Sequence, residues 1–235
     1  MEIDLDGIVI IVGNYGSGKT EVSINLAVNR KRAGLEVRIA DLDLVNPYFR
    51  TREAKRQLAE LGIEVVVPPR QYMQADLPIL SPVVAGMIRR PSQLTLLDTG
   101  GNDVGVNVFA ALGDALSGRR IHVLQVVNPF RPFTAPAEGC LKIRNEIEKA
   151  SRLSISGIIG NANLIDETSA RDIYTGYDFV LGLSKESGLP LKFITVAAEL
   201  MPEIYFIHFT WPVLLIERQL VPQRKRSVPL ASKME

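Results

Sequence analysis

The sequence predicts an α/β fold: a single domain built on a doubly wound, mainly parallel sheet of about seven to eight strands, with helices on both faces. Short runs rich in valine and isoleucine recur along the chain, and longer amphipathic stretches separate them, as in strands that alternate with helices. The length of 235 residues, 46% of them hydrophobic, is sufficient for one sizeable core. We therefore expect one domain over residues 1–220 and a polar, basic tail over residues 221–235.

The apolar runs predict strands at residues 8–12, 37–42, 63–67, 94–98, 122–127, 156–160 and 193–196, and a further short strand near residues 204–209. Helices are predicted between them at residues 19–33, 50–61, 82–89, 105–116, 135–151 and 169–187. The last helix has a start signal, because Ser169 stands three residues before Asp172, the spacing of a capping box. Each helix is amphipathic enough to cover a face of the sheet.

The composition excludes several classes of function. With 27 basic and 26 acidic residues the net charge is +1, so no global field would attract nucleic acid or an anionic membrane. A single cysteine, Cys140, and two histidines leave no thiolate set for zinc or for an iron–sulfur cluster. An acidic start, and the lack of an apolar run of about 18 residues, predict neither a signal peptide nor a spanning helix, so we expect a cytoplasmic protein.

The C-terminal segment differs from the rest of the chain in charge. Residues 221–235 hold four basic residues and one acidic residue. Such a segment is typical of a solvated tail, and docking to an acidic partner or a lipid surface is the alternative.

A phosphate-binding loop follows the first predicted strand. Residues 13–20 read GNYGSGKT, which matches G-x-x-x-x-G-K-[ST] and leads directly into a helix. Its glycines let backbone N–H groups converge on phosphate oxygens, and the helix N-terminus adds a favourable dipole. We expect Lys19 to contact the β- and γ-phosphates and the Thr20 hydroxyl to bind Mg²⁺. A glycine-rich turn with an incidental lysine is the alternative; a dinucleotide fold is disfavoured, because no G-x-G-x-x-G occurs.

Carboxylates are predicted at the same edge of the sheet, where strands end. Asp98 closes the apolar run LTLLD and precedes two glycines that would let the next loop move with the γ-phosphate. Asp41 and Asp43 close the run IADLD and share a face of the strand. We expect Asp98 to be linked to magnesium, Asp43 to orient or activate water, and Asp41 to lie nearer the outer shell of the metal. Helix capping by Asp98, and turn formation by the other two, are the alternatives.

Four segments together, GNYGSGKT, IADLD, LLDTGG and GIIGNANL, resemble the SIMIBI class of P-loop proteins and, within it, the CobQ/CbiA/MinD/ParA nucleotide-binding family, which is similar to the nitrogenase iron protein. The resemblance covers residues 8–199. It implies that Asp43 lies in switch I, that Asp98 begins switch II and that Asn161 contacts the base, for which a turn asparagine is the alternative.

The candidate nucleotide contacts are Gly13, Asn14, Tyr15, Gly16, Ser17, Gly18, Lys19, Thr20, Glu21 and Asn161. The candidate metal ligands are Thr20, Asp41, Asp43 and Asp98, and the candidate catalytic residues are Lys19 and Asp43.

The sequence also departs from that family. Asn14 stands where MinD and ParA relatives carry a second lysine that reaches across an ATP-sandwiched dimer, so a homodimer is possible but lacks that residue. The cysteine pair that holds a bridging iron–sulfur cluster in related carriers is missing. The N/T-K-x-D string with which GTPases of this class bind guanine does not occur, which favours ATP over GTP.

The motif and the resemblance imply a Mg-dependent ATP-binding protein, a slow ATPase whose switch loops couple nucleotide state to a protein partner. The alternatives are an ATP-dependent biosynthetic enzyme that activates a small carboxylate, as dethiobiotin synthetase and the cobyrinate-amidating enzymes do, and a nucleotide sensor without useful hydrolysis. Two Asn-Pro-aromatic loops, at residues 46–50 and 128–133, are predicted at the active edge. Arg50 or Arg131 would be available there to an anionic substrate or partner, unless these loops only rigidify the edge.

Overall fold

The computed structural model describes residues 1–43, 51–67, 82–100 and 115–220. The strands are β1 (Gly7–Val12), β2 (Val37–Leu42), β3 (Glu64–Val66), β4 (Leu94–Thr99), β5 (Ile121–Val127), β6 (Gly157–Gly160), β7 (Leu191–Ala197) and β8 (Val213–Ile216). The helices are α1 (Lys19–Arg32), α2 (Lys55–Glu60), α3 (Pro82–Arg89), α4 (Ala137–Ser151) and α5 (Ala170–Ser187). Short 3₁₀ helices lie at Thr51–Ala54, Ile165–Glu167, Ala198–Glu203 and Phe206–His208.

The eight strands form one parallel sheet in the order β3-β2-β4-β1-β5-β6-β7-β8. The chain passes from β1 to β2 on one side of β1, and it later returns to β5 on the other side. In open parallel sheets, ligands bind outside the carboxyl ends of the strands at such a reversal of strand order. The predicted doubly wound fold is confirmed, and the loop after β1 lies at the reversal.

Both faces of β1 are buried, which explains why its sequence is a continuous apolar run. One face packs against α1 and α2, and the other packs against α3 and α4. The packed residues include Val9, Ile11, Leu26 and Leu58 on the first face and Ile8, Ile10, Ile88 and Ile147 on the second. The predicted helices on both faces are therefore confirmed.

Most predicted elements lie within a few residues of the observed ones. The helix predicted at residues 50–61 begins as the 3₁₀ turn Thr51–Ala54 and continues as α2. The helix predicted at residues 105–116 falls outside the described residues except for positions 115 and 116, and the tail at 221–235 lies outside them entirely. Among the described helices, none is both long and apolar enough to cross a bilayer.

The strand predicted near residues 204–209 is wrong. That segment contains the 3₁₀ helix Phe206–His208, and the eighth strand begins later, at Val213. A strand with one buried face needs alternating burial, whereas here Ile204 and Phe209 are buried and Ile207 between them is 89% exposed. The apolar composition of the segment therefore does not indicate a strand.

The predicted capping box at the start of α5 is confirmed. The Ser169 hydroxyl accepts a hydrogen bond from the Asp172 backbone N–H, and the Asp172 carboxylate accepts one from the Ser169 backbone N–H at 2.9 Å. The Ser169 hydroxyl also donates to the Asp172 carboxylate at 2.6 Å, and this bond, together with the one from the Ser169 backbone N–H, lowers the pKa of Asp172 from its ordinary value. Two N–H groups that the helix itself leaves without partners are thereby satisfied.

We expect Ser169→Ala to lower the free energy of unfolding by about 1 kcal/mol, because the first turn of α5 loses its side-chain acceptor. Chemical denaturation measures the change. Ser117→Ala, at an exposed position, is the matched control and should be close to neutral. Equal losses in the two variants would contradict a stabilising role for the cap.

Candidate functional site

The loop between β1 and α1 needs glycine at two points. Gly13 and Gly18 have φ angles of 146° and 92°, which side-chain-bearing residues rarely adopt. A Cβ atom at Gly13 would lie 2.6 Å from the Val126 carbonyl oxygen, and one at Gly18 would lie 2.2 Å from the Asn161 amide nitrogen. The loop is therefore pressed against β5 and against the loop after β6, so neither position accepts a larger residue without movement.

Lys19 begins α1 and folds back over the loop. Its side chain is buried, with 7% of the residue exposed, and Nζ donates to the Asn14 carbonyl oxygen at 3.0 Å. The Ser17 backbone N–H donates to the same oxygen at 3.2 Å. Burial lowers the pKa of Lys19, and the charges of Asp98 and Asp43 oppose that shift. One ammonium group and one loop amide thus converge on a single acceptor.

Asp98 is fully buried at the end of β4, facing the start of α1. Its two carboxylate oxygens accept hydrogen bonds from Ser23 at 3.3 Å and from Thr51 at 2.7 Å. Burial raises the pKa of Asp98, and the charge of Asp41 raises it further, while hydrogen bonds from Thr51 and Thr20 and the charge of Lys19 act in the opposite direction.

Asp41 and Asp43 also lie at this edge. Asp41 is opposite Asp98 in the register of β2 and β4, and both residues are completely buried. The Asp43 backbone N–H donates to an Asp41 carboxylate oxygen at 3.1 Å, and Asp43 is close enough for its charge to raise the pKa of Lys19. The structure thus brings the candidate metal and catalytic residues together. Among the described residues, no three or more His, Cys, Asp or Glu side chains form a group that could hold a metal ion.

Asn161 follows β6 and contacts the loop between β1 and α1 directly. Its side-chain nitrogen donates to the Ser17 carbonyl oxygen at 2.6 Å, and its side-chain oxygen accepts a bond from the Thr195 hydroxyl. A contact between Asn161 and a nucleotide base would have to use the hydrogen-bonding capacity that these two bonds leave in the side-chain amide. Base contact by Asn161 therefore stays a prediction. Sequence reasoning missed Thr195, because a threonine inside the apolar strand β7 carries no signal of its own.

The Glu21 side chain binds the segment after β8. Its carboxylate accepts the backbone N–H of Gln219 at 3.0 and 3.1 Å and that of Leu220 at 2.5 Å. One turn later, the Asn25 amide exchanges two hydrogen bonds with the Glu217 backbone, at 2.9 and 3.2 Å. We call these bonds between α1 and the segment after β8 the Glu21 clamp. Sequence reasoning missed the clamp, because it joins positions nearly two hundred residues apart. Glu21 as a nucleotide contact stays a prediction.

Of the two Asn-Pro-aromatic loops, residues 46–50 lie outside the described residues. The other loop follows β5, and its Arg131 Nε donates to the Gly16 carbonyl oxygen at 3.0 Å. Residues 128–133 therefore lie at the carboxyl edge of the sheet, beside the loop between β1 and α1, and an active role for them stays a prediction.

Solved structures of signal recognition particle proteins have a similar fold. FtsY from Mycoplasma mycoides is 23% identical, with a TM-score of 0.54 over 84% of this chain and 61% of that chain. The signal recognition particle receptor FtsY from Elizabethkingia anophelis, in complex with GDP, is 20% identical, with a TM-score of 0.57 over 84% and 59%. The 54 kDa signal recognition particle protein from Aeropyrum pernix K1, also with GDP, is 21% identical, with a TM-score of 0.53 over 83% and 42%.

At these identities the likeness establishes the fold alone, a parallel sheet of eight strands with helices on both faces, and membership of the SIMIBI class stays a prediction. The chain spans about three fifths of the length of these FtsY structures. No protein-family model and no curated protein matches the sequence. Membership of the CobQ/CbiA/MinD/ParA family stays a prediction.

We expect the Glu21 clamp to make stability depend on pH. Burial raises the pKa of Glu21 from 4.5 to about 7, against the hydrogen bonds from Leu220 and Gln219. The folded state therefore holds the proton more tightly, so the associated stability is complete below pH 4.5 and is lost as the pH rises through 7. We expect the free energy of unfolding to fall by roughly 2 kcal/mol across this window.

Chemical denaturation at several pH values tests this linkage. Glu21→Gln should flatten the dependence, whereas Glu146→Gln, on the exposed surface of α4, should leave it as in the parent. Parallel curves for the parent and both variants would mean that Glu21 titrates alike in the folded and unfolded chains.

Proposed function

We propose that the chain binds a magnesium nucleoside triphosphate, ATP in preference to GTP, at residues 13–20. It hydrolyses the nucleotide slowly and couples its nucleotide state to a protein partner. The observation that carries the proposal is the convergence of Lys19 Nζ and the Ser17 N–H on one oxygen, in a glycine loop at the reversal of strand order. A phosphate oxygen can take the place of the Asn14 carbonyl as their common acceptor.

We expect the acidic residues at the edge to bind a divalent cation only together with the nucleotide, because no three of the described carboxylates form a metal site by themselves. Asp41 and Asp98 are buried opposite each other on adjacent strands, and the charge of Asp41 raises the pKa of Asp98. We expect the Thr20 hydroxyl, with these carboxylates around it, to hold Mg²⁺ together with phosphate oxygens. The ion would neutralise charge on the β- and γ-phosphates.

The preference for ATP rests on the loop after β6. This loop reads Asn161-Ala162-Asn163-Leu164, so an apolar residue stands where N/T-K-x-D has its guanine-binding aspartate. Against this preference, two of the similar solved structures contain GDP. Calorimetric titration of the protein with MgATP and with MgGTP separates the two bases, and tighter binding of GTP would contradict the proposal.

Coupling to a protein partner is favoured by apolar side chains around the same edge. Tyr15, Phe133, Tyr205 and Ile207 lie in loops that follow the carboxyl ends of strands, and their exposed fractions range from 65% to 89%. Exposed apolar side chains are typical of interaction surfaces where they form a contiguous patch. We propose that a partner bound at this edge contacts the loops beside the nucleotide.

We expect Lys19→Met to weaken MgATP binding at least about tenfold, because a charge-assisted contact to phosphate is lost. Isothermal titration calorimetry measures the dissociation constant. Lys31→Met, near the other end of α1, removes the same charge far from the loop and should bind as the parent does. Binding of ATP by Lys19→Met as tight as that of the parent would overturn the proposed site.

We expect Asp43→Asn to retain MgATP binding within about threefold and to slow phosphate release about a hundredfold, the usual scale for a positioned general base. Single-turnover hydrolysis separates the chemical step from binding. Asp178→Asn, at an exposed position on α5, is the control. An unchanged rate for Asp43→Asn would exclude this residue as the group that orients or activates water.

The biosynthetic alternative is favoured by the position of Arg131 beside the loop, where a substrate carboxylate would find a cation. It predicts phosphate release that requires an added carboxylate metabolite. Steady release from ATP alone, at a rate that added carboxylates leave unchanged, contradicts it.

A further inference from the structure

We propose that Arg131 is a positioning residue for the phosphate loop: it holds the Gly16 peptide so that the Ser17 N–H faces the bound phosphate, and it places a positive charge on the outer side of the loop. This inference rests on the proposed function, in that residues 13–20 bind polyphosphate.

The contact between Arg131 and the loop is close. Arg131 Nε donates to the Gly16 carbonyl oxygen at 3.0 Å. A Cβ atom at Gly16 would lie 3.6 Å from Nε and 4.0 Å from the central guanidinium carbon, Cζ. The guanidinium group thus lies directly beside the Gly16 backbone, at a distance where even an added Cβ atom would make ordinary van der Waals contact with it.

The geometry of the peptide bond transmits this contact to the anion-binding side. In a trans peptide the C=O and the N–H point in opposite directions, so holding the Gly16 carbonyl outward directs the Ser17 N–H inward. That N–H converges with Lys19 Nζ on the Asn14 carbonyl oxygen. A cationic donor on the carbonyl also polarises the peptide, which strengthens its N–H as a donor to an anion.

Arg131 is carried by a rigid turn. Its backbone N–H donates to the Asn128 carbonyl at 3.2 Å, and its own carbonyl accepts the N–H groups of Thr134 and Ala135, both at 2.9 Å. Asn128 is 1% exposed, and its side-chain nitrogen donates to the Asn163 carbonyl at 2.8 Å. Because these hydrogen bonds already order the turn, little backbone conformational entropy is lost when Arg131 holds the Gly16 carbonyl.

A second side chain holds the next peptide of the loop. Asn161 donates to the Ser17 carbonyl, so by the same geometry it directs the Gly18 N–H. Consecutive carbonyls are thus held by one neutral and one charged donor, from the loops after β6 and β5. Arg131 differs from Asn161 in its positive charge, so variants that keep or remove this charge separate its role from that of a neutral donor.

The test measures binding of magnesium tripolyphosphate, which has no base, and of MgATP by titration calorimetry. We expect Arg131→Met to weaken both about tenfold, the scale of one charge-assisted hydrogen bond. Arg131→Lys, which keeps a cationic donor, should recover most of the affinity. Arg90→Met removes the same charge at an exposed position beyond the C-terminus of α3, at the opposite edge of the sheet, and should bind as the parent does.

Thermal unfolding of every variant shows whether the turn stays folded, and rescue by lysine is an outcome that a purely structural role would not give. If the parent binds tripolyphosphate and Arg131→Met binds it equally well, the inference is overturned while the proposed function stands. If Arg131→Lys binds as weakly as Arg131→Met at unchanged unfolding temperature, the charge plays no part and the inference is also overturned. If the parent itself binds neither probe, both the inference and the proposed function fail.

Discussion

The burial of Lys19 among carboxylates is the interaction on which the candidate site depends. An ammonium group with 7% of its residue exposed is costly unless charges of opposite sign lie near it. Asp98, in β4, and Asp43, directly after β2, provide those charges. The charge of Asp41 in turn helps to raise the pKa of Asp98, because the two residues are paired in register on adjacent strands. The edge thus holds a buried ammonium group and several buried carboxylates close together. A bound anion would be attracted by the ammonium group, and a bound cation would be attracted by the carboxylates.

The loop over residues 13–20 is held from several directions at once. The glycines at its ends let it lie against β5 and against Asn161, and side chains from the loops after β5 and β6 hold two of its carbonyls. At the start of α1, Glu21 ties the helix to the segment after β8. Donors that are already in position bind an anion without the free-energy cost of rearranging the loop. The shape of the site therefore depends on parts of the chain far apart in sequence.

The fold was largely predictable, because strands buried on both faces and helices of a parallel sheet carry strong local patterns. β2 and α3 have the predicted bounds, and the start of α5 followed from one capping box. Prediction failed at residues 204–209, where aromatic and aliphatic composition indicated a strand. Composition reports hydrophobicity, whereas a strand requires alternating burial, and only the packing of α5 and β8 around this segment decides which of its side chains are exposed.

By itself, the sequence determined the glycine-rich turn at residues 13–20, the alternation of strands and helices, and the placing of Asp41, Asp43 and Asp98 at strand ends. Each of these depends on neighbouring residues and short-range periodicity. Only the tertiary structure decided which donors hold the loop. Asn161 meets Ser17, and Glu21 meets Leu220, across sequence separations of 144 and 199 residues. No local pattern encodes such contacts, because they arise when the order of strands in the sheet brings separate loops to one edge.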